Sequence, residues 1–564
     1  MDRRAFVEAS AALGLGSLWP GVLYAKAAEA NTLSTTVIAE AEKVMGLTFT
    51  EAQRELMLED LQDRLATFER LRATPIPNSV APALRFDPMI GRTAPPEAAI
   101  SRLDSWLAPS VERPASDADL AFLPVTELAA LVRDRKVTAT KLTQLYLRRL
   151  KQYDPVLQAV VTLTEDRALT QAAAADREIA AGTYRGPLHG IPWGAKDLLA
   201  VQGYPTTWGA MPYREQVIDE DAEVVKRLDA AGAILVAKLT LGALAWGDVW
   251  FGGTTKNPWN VEQGSSGSSA GPGSAVAAGL VGFAIGSETL GSIVSPSTRN
   301  GVTGHRPTFG RVSRAGAMAL SWSMDKLGPM CRSAADCALV FDAIHGADVG
   351  DPTTTSQPFA YPLPDVRDLR IGYYASAFEG DYRGHEHDHA VLRVLRGQGL
   401  SLTPIELPQD DRLGAMLLTL NAEAAAAFDD LTRSGGTETM VRQIRNAWPN
   451  VFRHARFIPA VEYLQANRAR TELIQAMHAV MDTVDVIVTP SYRGGVLQIT
   501  NLTGHPCVAL PHAFDPLADQ PTSPRRAPRS ISFIGGLHQD AAVLAVADAY
   551  QRATDFHRQR PPIG

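Results

Sequence analysis

Between Gln263 and Ser274 the chain reads Gln-Gly-Ser-Ser-Gly-Ser-Ser-Ala-Gly-Pro-Gly-Ser, and Gly286-Ser287-Glu288-Thr289-Leu290-Gly291-Ser292-Ile293 follows soon after. Segments this poor in bulky side chains are usually flexible linkers. This one runs straight into Ala275-Val276-Ala277-Ala278-Gly279 and then into the apolar run from Val281 to Ile285, which has the length and make-up of a buried strand. A linker would not enter a core in that way. Glycine and serine in such a place let backbone segments approach closely or adopt dihedrals closed to larger residues. Whatever this chain folds into must hold two small-residue segments against a buried strand.

The surrounding pattern names the fold class. Ile191 to Gly194, Ala233 to Ala237, Val281 to Ile285 and Val484 to Val488 read as short buried strands, and helical patterns alternate with them from about Ala121 onward. Thr126 and Thr138 are candidate N-caps, the second for a helix carrying Leu142, Leu145 and Leu150. Interleaved strands and helices predict an α/β protein with a central sheet covered by helices. Ahead of it, Thr50 and Gln53 have the form of a capping box, and Met57, Leu61, Leu65 and Phe68 mark one apolar face of a helix that ends near Pro75 and Pro77. That stripe needs a partner surface, expected on the main domain. Residues 31–117 are thus a helical segment and linker, and 118–564 the main domain. The Pro-, Asp- and Arg-rich stretch from Pro516 to Arg529 reads as an exposed loop.

The first thirty residues look like an export signal. Asp2-Arg3-Arg4-Ala5-Phe6 precedes an apolar run from Ala9 to Trp19, and small-x-small sites follow at Ala25-Lys26-Ala27 and Ala28-Glu29-Ala30. The paired arginines before Phe6 resemble the twin-arginine signal, with Asp2 where Ser or Thr is usual. The expected location is therefore the periplasm. The apolar run is too short for a permanent membrane span. A net charge of -7 and the lack of a Lys/Arg-rich run give nothing to hold a nucleic-acid backbone. Cys331, Cys337 and Cys507 are too few and too unevenly placed for a disulfide framework or a zinc site.

A serine in a small-residue turn after a strand is well placed for nucleophilic attack, because neighbouring backbone N–H groups can converge on an oxyanion. It needs a base, and neither segment holds a histidine. Lys196, at the end of the apolar run in His189-Gly190-Ile191-Pro192-Trp193-Gly194-Ala195-Lys196-Asp197, is a candidate, since a desolvated lysine can serve as a general base. Together with Asn257-Pro258-Trp259-Asn260, Gly267-Ser268-Ser269-Ala270-Gly271, Leu290-Gly291-Ser292, Arg306-Pro307-Thr308-Phe309-Gly310-Arg311-Val312-Ser313 and Asn501-Leu502-Thr503-Gly504-His505-Pro506, this set resembles the amidase signature family over about Pro124 to Pro562. The resemblance implies a single large α/β/α domain with a mixed central sheet. It also implies hydrolysis of a carboxylic amide through a covalent acyl-serine, with no cofactor and a small-molecule amide as substrate.

The resemblance also sets the register. Its bridging serine lies 24 residues before the nucleophile, and 292 − 24 gives Ser268 rather than Ser265 or Ser266, a register supported by Val276-Ala277-Ala278-Gly279. It implies Lys196 as base, Ser268 as proton bridge after a cis peptide bond at Gly267–Ser268, Ser292 as nucleophile, and the backbone N–H groups of Thr289, Leu290, Gly291 and Ser292 as oxyanion hole. Departures from the family pattern are Ser287-Glu288 for Thr-Asp, Leu290 for a glycine, and Ser266 and Ala270 where glycines are usual.

Other readings compete. The amidase-type component of tRNA-dependent amidotransferases shares the signature, but an exported chain would not meet charged tRNA. A non-catalytic binding protein on the same scaffold would not need all three triad positions. Ser323-Met324-Asp325-Lys326 is a formal S-x-x-K match to penicillin-binding proteins and β-lactamases, without their S-D-N or K-T-G partners. His385-Glu386-His387-Asp388-His389 could suggest a metal but sits where a helix should open. Trp193, Trp208, Trp246 and Trp322 lie near the motifs and fit core packing better than a pocket lining.

Overall fold

The computed structural model of the chain describes residues 33–73, 109–363 and 365–563. The signal-like residues 1–30 and most of the linker lie outside them.

The described residues build an eleven-stranded mixed sheet with helices on its faces. In chain order its strands are β1 (Val160–Leu163), β2 (Pro192–Lys196), β3 (Ile234–Leu239), β4 (Phe283–Glu288), β5 (Thr303–Arg306), β6 (Lys326–Cys331), β7 (Ile371–Tyr374), β8 (Leu402–Ile405), β9 (Val486–Pro490), β10 (Cys507–Pro516) and β11 (Arg526–Gly535). Across the sheet they run β1-β3-β2-β4-β6-β5-β10-β11-β9-β7-β8. β2 is parallel to β3 and β4, whereas β4 pairs antiparallel with β6. β2, β3 and β4 are buried along their whole lengths, so they read as continuous apolar runs and not as alternating ones.

The Gly/Ser block is core, not linker. Its second half is the helix Ala270–Ala277, every residue of which is buried. A Cβ on Gly271 would run into the Thr240 backbone and the Ala159 carbonyl, so only glycine lets this helix lie against the end of β3. Trp193 is fully buried and stacks on Phe283 with ring centroids 5.9 Å apart.

One expectation is corrected and another is narrowed. Thr126 does not cap its helix: Val125–Arg133 starts behind Pro124 with no side-chain cap, and the Thr126 N–H donates instead to the Asp336 carboxylate, at 3.0 Å. The expected loop is present at residues 517–525, which turn between β10 and β11, but Pro516 and residues 526–529 belong to the paired hairpin, with Pro516 opposite Arg526 and Phe514 opposite Pro528. β9 pairs with β11 only from Ile531 to Gly535, which leaves one edge of residues 526–530 unpaired, and proline is tolerated there. By contrast Thr138 caps Ala139–Leu157, accepting from the Lys141 N–H at 3.1 Å. The three cysteines are buried and free.

Two compact units divide the chain. The sheet belongs to one, and the described N-terminal helices belong to the other, together with residues 411–469. In that second unit the capping box is present: the Gln53 side chain accepts from the Thr50 N–H at 2.8 Å, and the Gln53 N–H reaches Thr50 Oγ1 at 3.3 Å. Met57 and Leu61 are buried with Ile38 and Phe49, against Phe457. Arg445 adds ion pairs to Asp60 and Asp63, both at 2.8 Å.

Candidate active site

Three parts of the sheet-bearing unit meet at one place: the end of β2, the start of the helix Ala270–Ala277, and the loop after β4. Lys196 is the last residue of β2 and is fully buried. Its Nζ lies 2.8 Å from Ser268 Oγ, 3.0 Å from Ser269 Oγ, 2.8 Å from Ser287 Oγ and 3.4 Å from the Ser287 carbonyl. All four are neutral oxygens. With burial and no carboxylate in direct contact, the charged ammonium is disfavoured. Burial therefore pushes Lys196 well below the ordinary 10.5, against the weaker opposing fields of Asp325 and Glu288. The next residue, Asp197, is different in kind: it ion-pairs with buried Lys238 at 2.8 Å and so fixes the end of β2 against β3.

Ser268 is also buried, behind a cis peptide bond from Gly267. Ser292, by contrast, is partly accessible. Its backbone is tied to the serine segment through the Ser269 N–H, which donates to the Ser292 carbonyl at 3.1 Å. The Ser292 hydroxyl has no hydrogen bond among the described residues, so the link from Ser268 to Ser292 is not closed here. Such contacts commonly tighten only with substrate bound.

The loop 289–292 is held from both sides. Thr289 Oγ1 donates to Asp325 at 2.5 Å, and the Gly291 carbonyl accepts from the Ser295 N–H at 2.7 Å. None of the backbone N–H groups of Thr289, Leu290, Gly291 and Ser292 donates to a hydrogen bond among the described residues. Four donors in consecutive residues are thus left over for an oxyanion. Gly291 makes the turn, with φ +88°, and a Cβ there would come within 2.9 Å of Leu497.

Glu288 anchors that loop. Its carboxylate is fully buried and accepts from the N–H groups of Ile293 (2.8 Å) and Val294 (2.9 Å), from Arg306 (2.7 Å) and from Asn501 (2.8 Å). Burial alone would raise its pKa, but the Arg306 charge and these hydrogen bonds hold it down at about 2.

The motifs alone do not single out Ser269, Ser287, Glu288 and Asp325 as site residues. Ser287 and Glu288 carry a signal, as the departures in the second motif. Ser269 stands in the first serine motif, but its contact with Lys196 is not read from it, and Asp325 becomes recognisable only once the strands have placed it. The S-x-x-K pair is engaged otherwise: Ser323 Oγ accepts from Arg470 at 2.9 Å, and Lys326 Nζ donates to the Met324 carbonyl. His385 opens the helix His385–Gly397, with Glu386 and Asp388 in its first turn. No group of three or more His, Cys, Asp or Glu residues suited to a metal ion occurs among the described residues.

The Amidase family model matches residues 141–544. The chain belongs to the amidase signature family. It is 33% identical over 494 residues to the putative amidase AmiD of Mycobacterium bovis, covering 82% of this chain and 99% of that one. It is also 33% identical over 487 residues to a Glutamyl-tRNA(Gln) amidotransferase chain of Roseiflexus sp. (strain RS-1), covering 77% and 96%. Among solved structures, the native peptide amidase from Stenotrophomonas maltophilia superposes with a TM-score of 0.66 at 29% identity, covering 78% of this chain and 98% of that one.

Proposed function

We propose that this amidase signature protein hydrolyses a carboxylic amide C–N bond by acyl transfer through Ser292, with Lys196 as base and Ser268 as bridge. The observation that carries the assignment is the buried Lys196 amine, whose four close contacts are all neutral oxygens, Ser268 among them. Burial lowers the pKa of such an amine well below 10.5 and so favours the neutral form, which can accept a proton. Ser292 Oγ attacks the amide carbon while its proton passes to Ser268, whose own proton passes to Lys196. The backbone N–H groups of 289–292 receive the negative charge on the former carbonyl oxygen. When the tetrahedral species collapses, the C–N bond breaks and the relay returns the proton to the leaving nitrogen. Water then attacks the ester, releases the carboxylate and restores Ser292.

The pH dependence follows from the direction of the Lys196 shift. Protonation of Lys196 removes the base, so kcat/KM falls on the acid side, with a limb well below the ordinary lysine value of 10.5. Lys196→Arg stays charged at every accessible pH and is expected to be inactive throughout. A pH–rate profile with no acid limb, or an active Lys196→Arg protein, would contradict the base assignment.

The amidotransferase relative raises the reading that this chain works only within a larger complex, on charged tRNA. On the reading favoured here the purified chain turns over simple amides alone, without ATP or tRNA. We also propose that residues 1–30 export the protein by a twin-arginine route, on the strength of Arg3-Arg4 and the apolar run behind them. Fused to a folded reporter, these residues are expected to carry it to the periplasm, and Arg3→Lys with Arg4→Lys should stop it. Export undiminished by the double change would sink that proposal.

A further inference from the structure

A cavity of about 410 Å³ opens beside the Lys196 cluster, within the size range of small-molecule sites. Ser287 and Thr289 form part of its wall. Ser287 is the residue whose hydroxyl touches Lys196 at 2.8 Å, so the cavity is one side chain away from the base. The rest of the wall is mostly apolar, with Leu198, Met318, Leu320 and Leu327 among its residues.

The cavity also carries charged residues, but their bonding is taken up internally. Arg314 pairs with Asp351 at 2.8 Å and donates to Thr353 Oγ1 at 2.8 Å and to the Trp322 carbonyl at 2.6 Å. The Asp325 carboxylate accepts from Thr289 Oγ1 at 2.5 Å and from the N–H groups of Leu320 and Ser321 at 2.8 and 2.9 Å. A charged ligand would have to break one of these sets. An uncharged apolar group would displace only water, which favours its burial.

The cavity adjoins the base through Ser287 and the 289–292 loop through Thr289. The leaving nitrogen recovers its proton from the Lys196–Ser268 relay, so its substituent emerges on the relay's side of the scissile bond. We infer that this cavity is the leaving-group subsite and takes an uncharged, apolar amine substituent of aryl size. The inference rests on the acyl-transfer assignment above. It makes secondary amides of aromatic or bulky apolar amines the preferred substrates, ahead of primary amides of the same acid.

The test uses the full chain and two amides of one acid, acetamide and N-(2-naphthyl)acetamide. Ala319 lies on the cavity wall, and Ala319→Trp fills the space. The KM for the naphthyl amide is expected to rise by about tenfold or more, while kcat/KM for acetamide stays within about twofold. A second arm needs no turnover: 2-naphthylamine, followed by its fluorescence, should bind the Ser292→Ala protein saturably and about tenfold more weakly once Ala319→Trp is added. Ala315→Phe, on the same wall, replaces Ala319→Trp if the latter does not fold. If filling the cavity weakens both amides equally, or leaves naphthylamine binding unchanged, the subsite assignment is overturned. If the parent protein hydrolyses no amide at all, the acyl-transfer reading falls, and the binding arm still judges the cavity.

Discussion

Ser292→Ala should lower kcat/KM toward amides by about 10⁴-fold or more, and Lys196→Ala by about 10³–10⁴-fold. Both proteins should stay folded, with a larger loss of thermal stability in Lys196→Ala, whose truncation opens a cavity in the core. The reasons differ. Ser292 is partly accessible, and its hydroxyl has no hydrogen bond among the described residues, so truncation removes chemistry and little packing. Lys196 is fully buried, but its partners are hydroxyls and a carbonyl, and Ser269 keeps bonds to the Ser287 carbonyl and N–H, both at 3.1 Å, after the amine is gone. The double mutant should be scarcely worse than either single one, because residues acting on one proton path are not additive. Steady-state kinetics with thermal melts on the four proteins would check this, and independent, multiplying losses would argue against a shared relay.

The second large effect is on stability. Glu288→Gln is expected to cost about 3–5 kcal/mol, the usual range for removing one partner of a buried ion pair, because Arg306 keeps its charge and loses its counterion. A fall in pKa from 4.5 to about 2 corresponds independently to about 3 kcal/mol. The pH behaviour has a definite sign. Folded Glu288 binds its proton more weakly than unfolded Glu288, so this stabilisation is complete above about 4.5 and disappears as the pH falls toward 2. Denaturant melts of the wild type should steepen in pH dependence over that window, and Glu288→Gln should lack that component. Glu288 also holds the N–H groups of Ile293 and Val294, so the variant should lose kcat more than KM as the 289–292 loop loosens. A stable, fully active Glu288→Gln protein would show that the loop is held by something else.

Much of this is legible in the residues. Small residues running into Val281–Ile285 require a packed site and not a linker, and the structure places them around β4 and the helix Ala270–Ala277. The strands expected near 191, 233, 281 and 484 begin within two residues of where the pattern puts them, because strands buried on both faces leave an unbroken apolar signature. Less legible is anything set by distant pairing. Asp336 supplies the cap that Thr126 does not, from 210 residues away. Residues 517–525 are the loop the composition indicates, but 526–529 belong to β11, because proline and charge are tolerated on the half of it that β9 does not cover. The same holds at the site. Lys196, Ser268, Ser269 and Ser292 stand in motifs, whereas Asp325 is a neighbour of Thr289 only through the pairing of β4 with β6. The apolar stripe on Glu51–Ala73 shows that a partner surface is needed, but not that residues from 411–469 supply it.

Everything turns on which oxygen becomes acylated. Treating the protein with a fluorophosphonate and locating the adduct by peptide mass spectrometry reads this directly. One phosphonyl group on Ser292, absent from Ser292→Ala and formed far more slowly in Lys196→Ala, is the expected result. An adduct on Ser268, Ser287 or Ser323 with Ser292 unmodified would contradict the account.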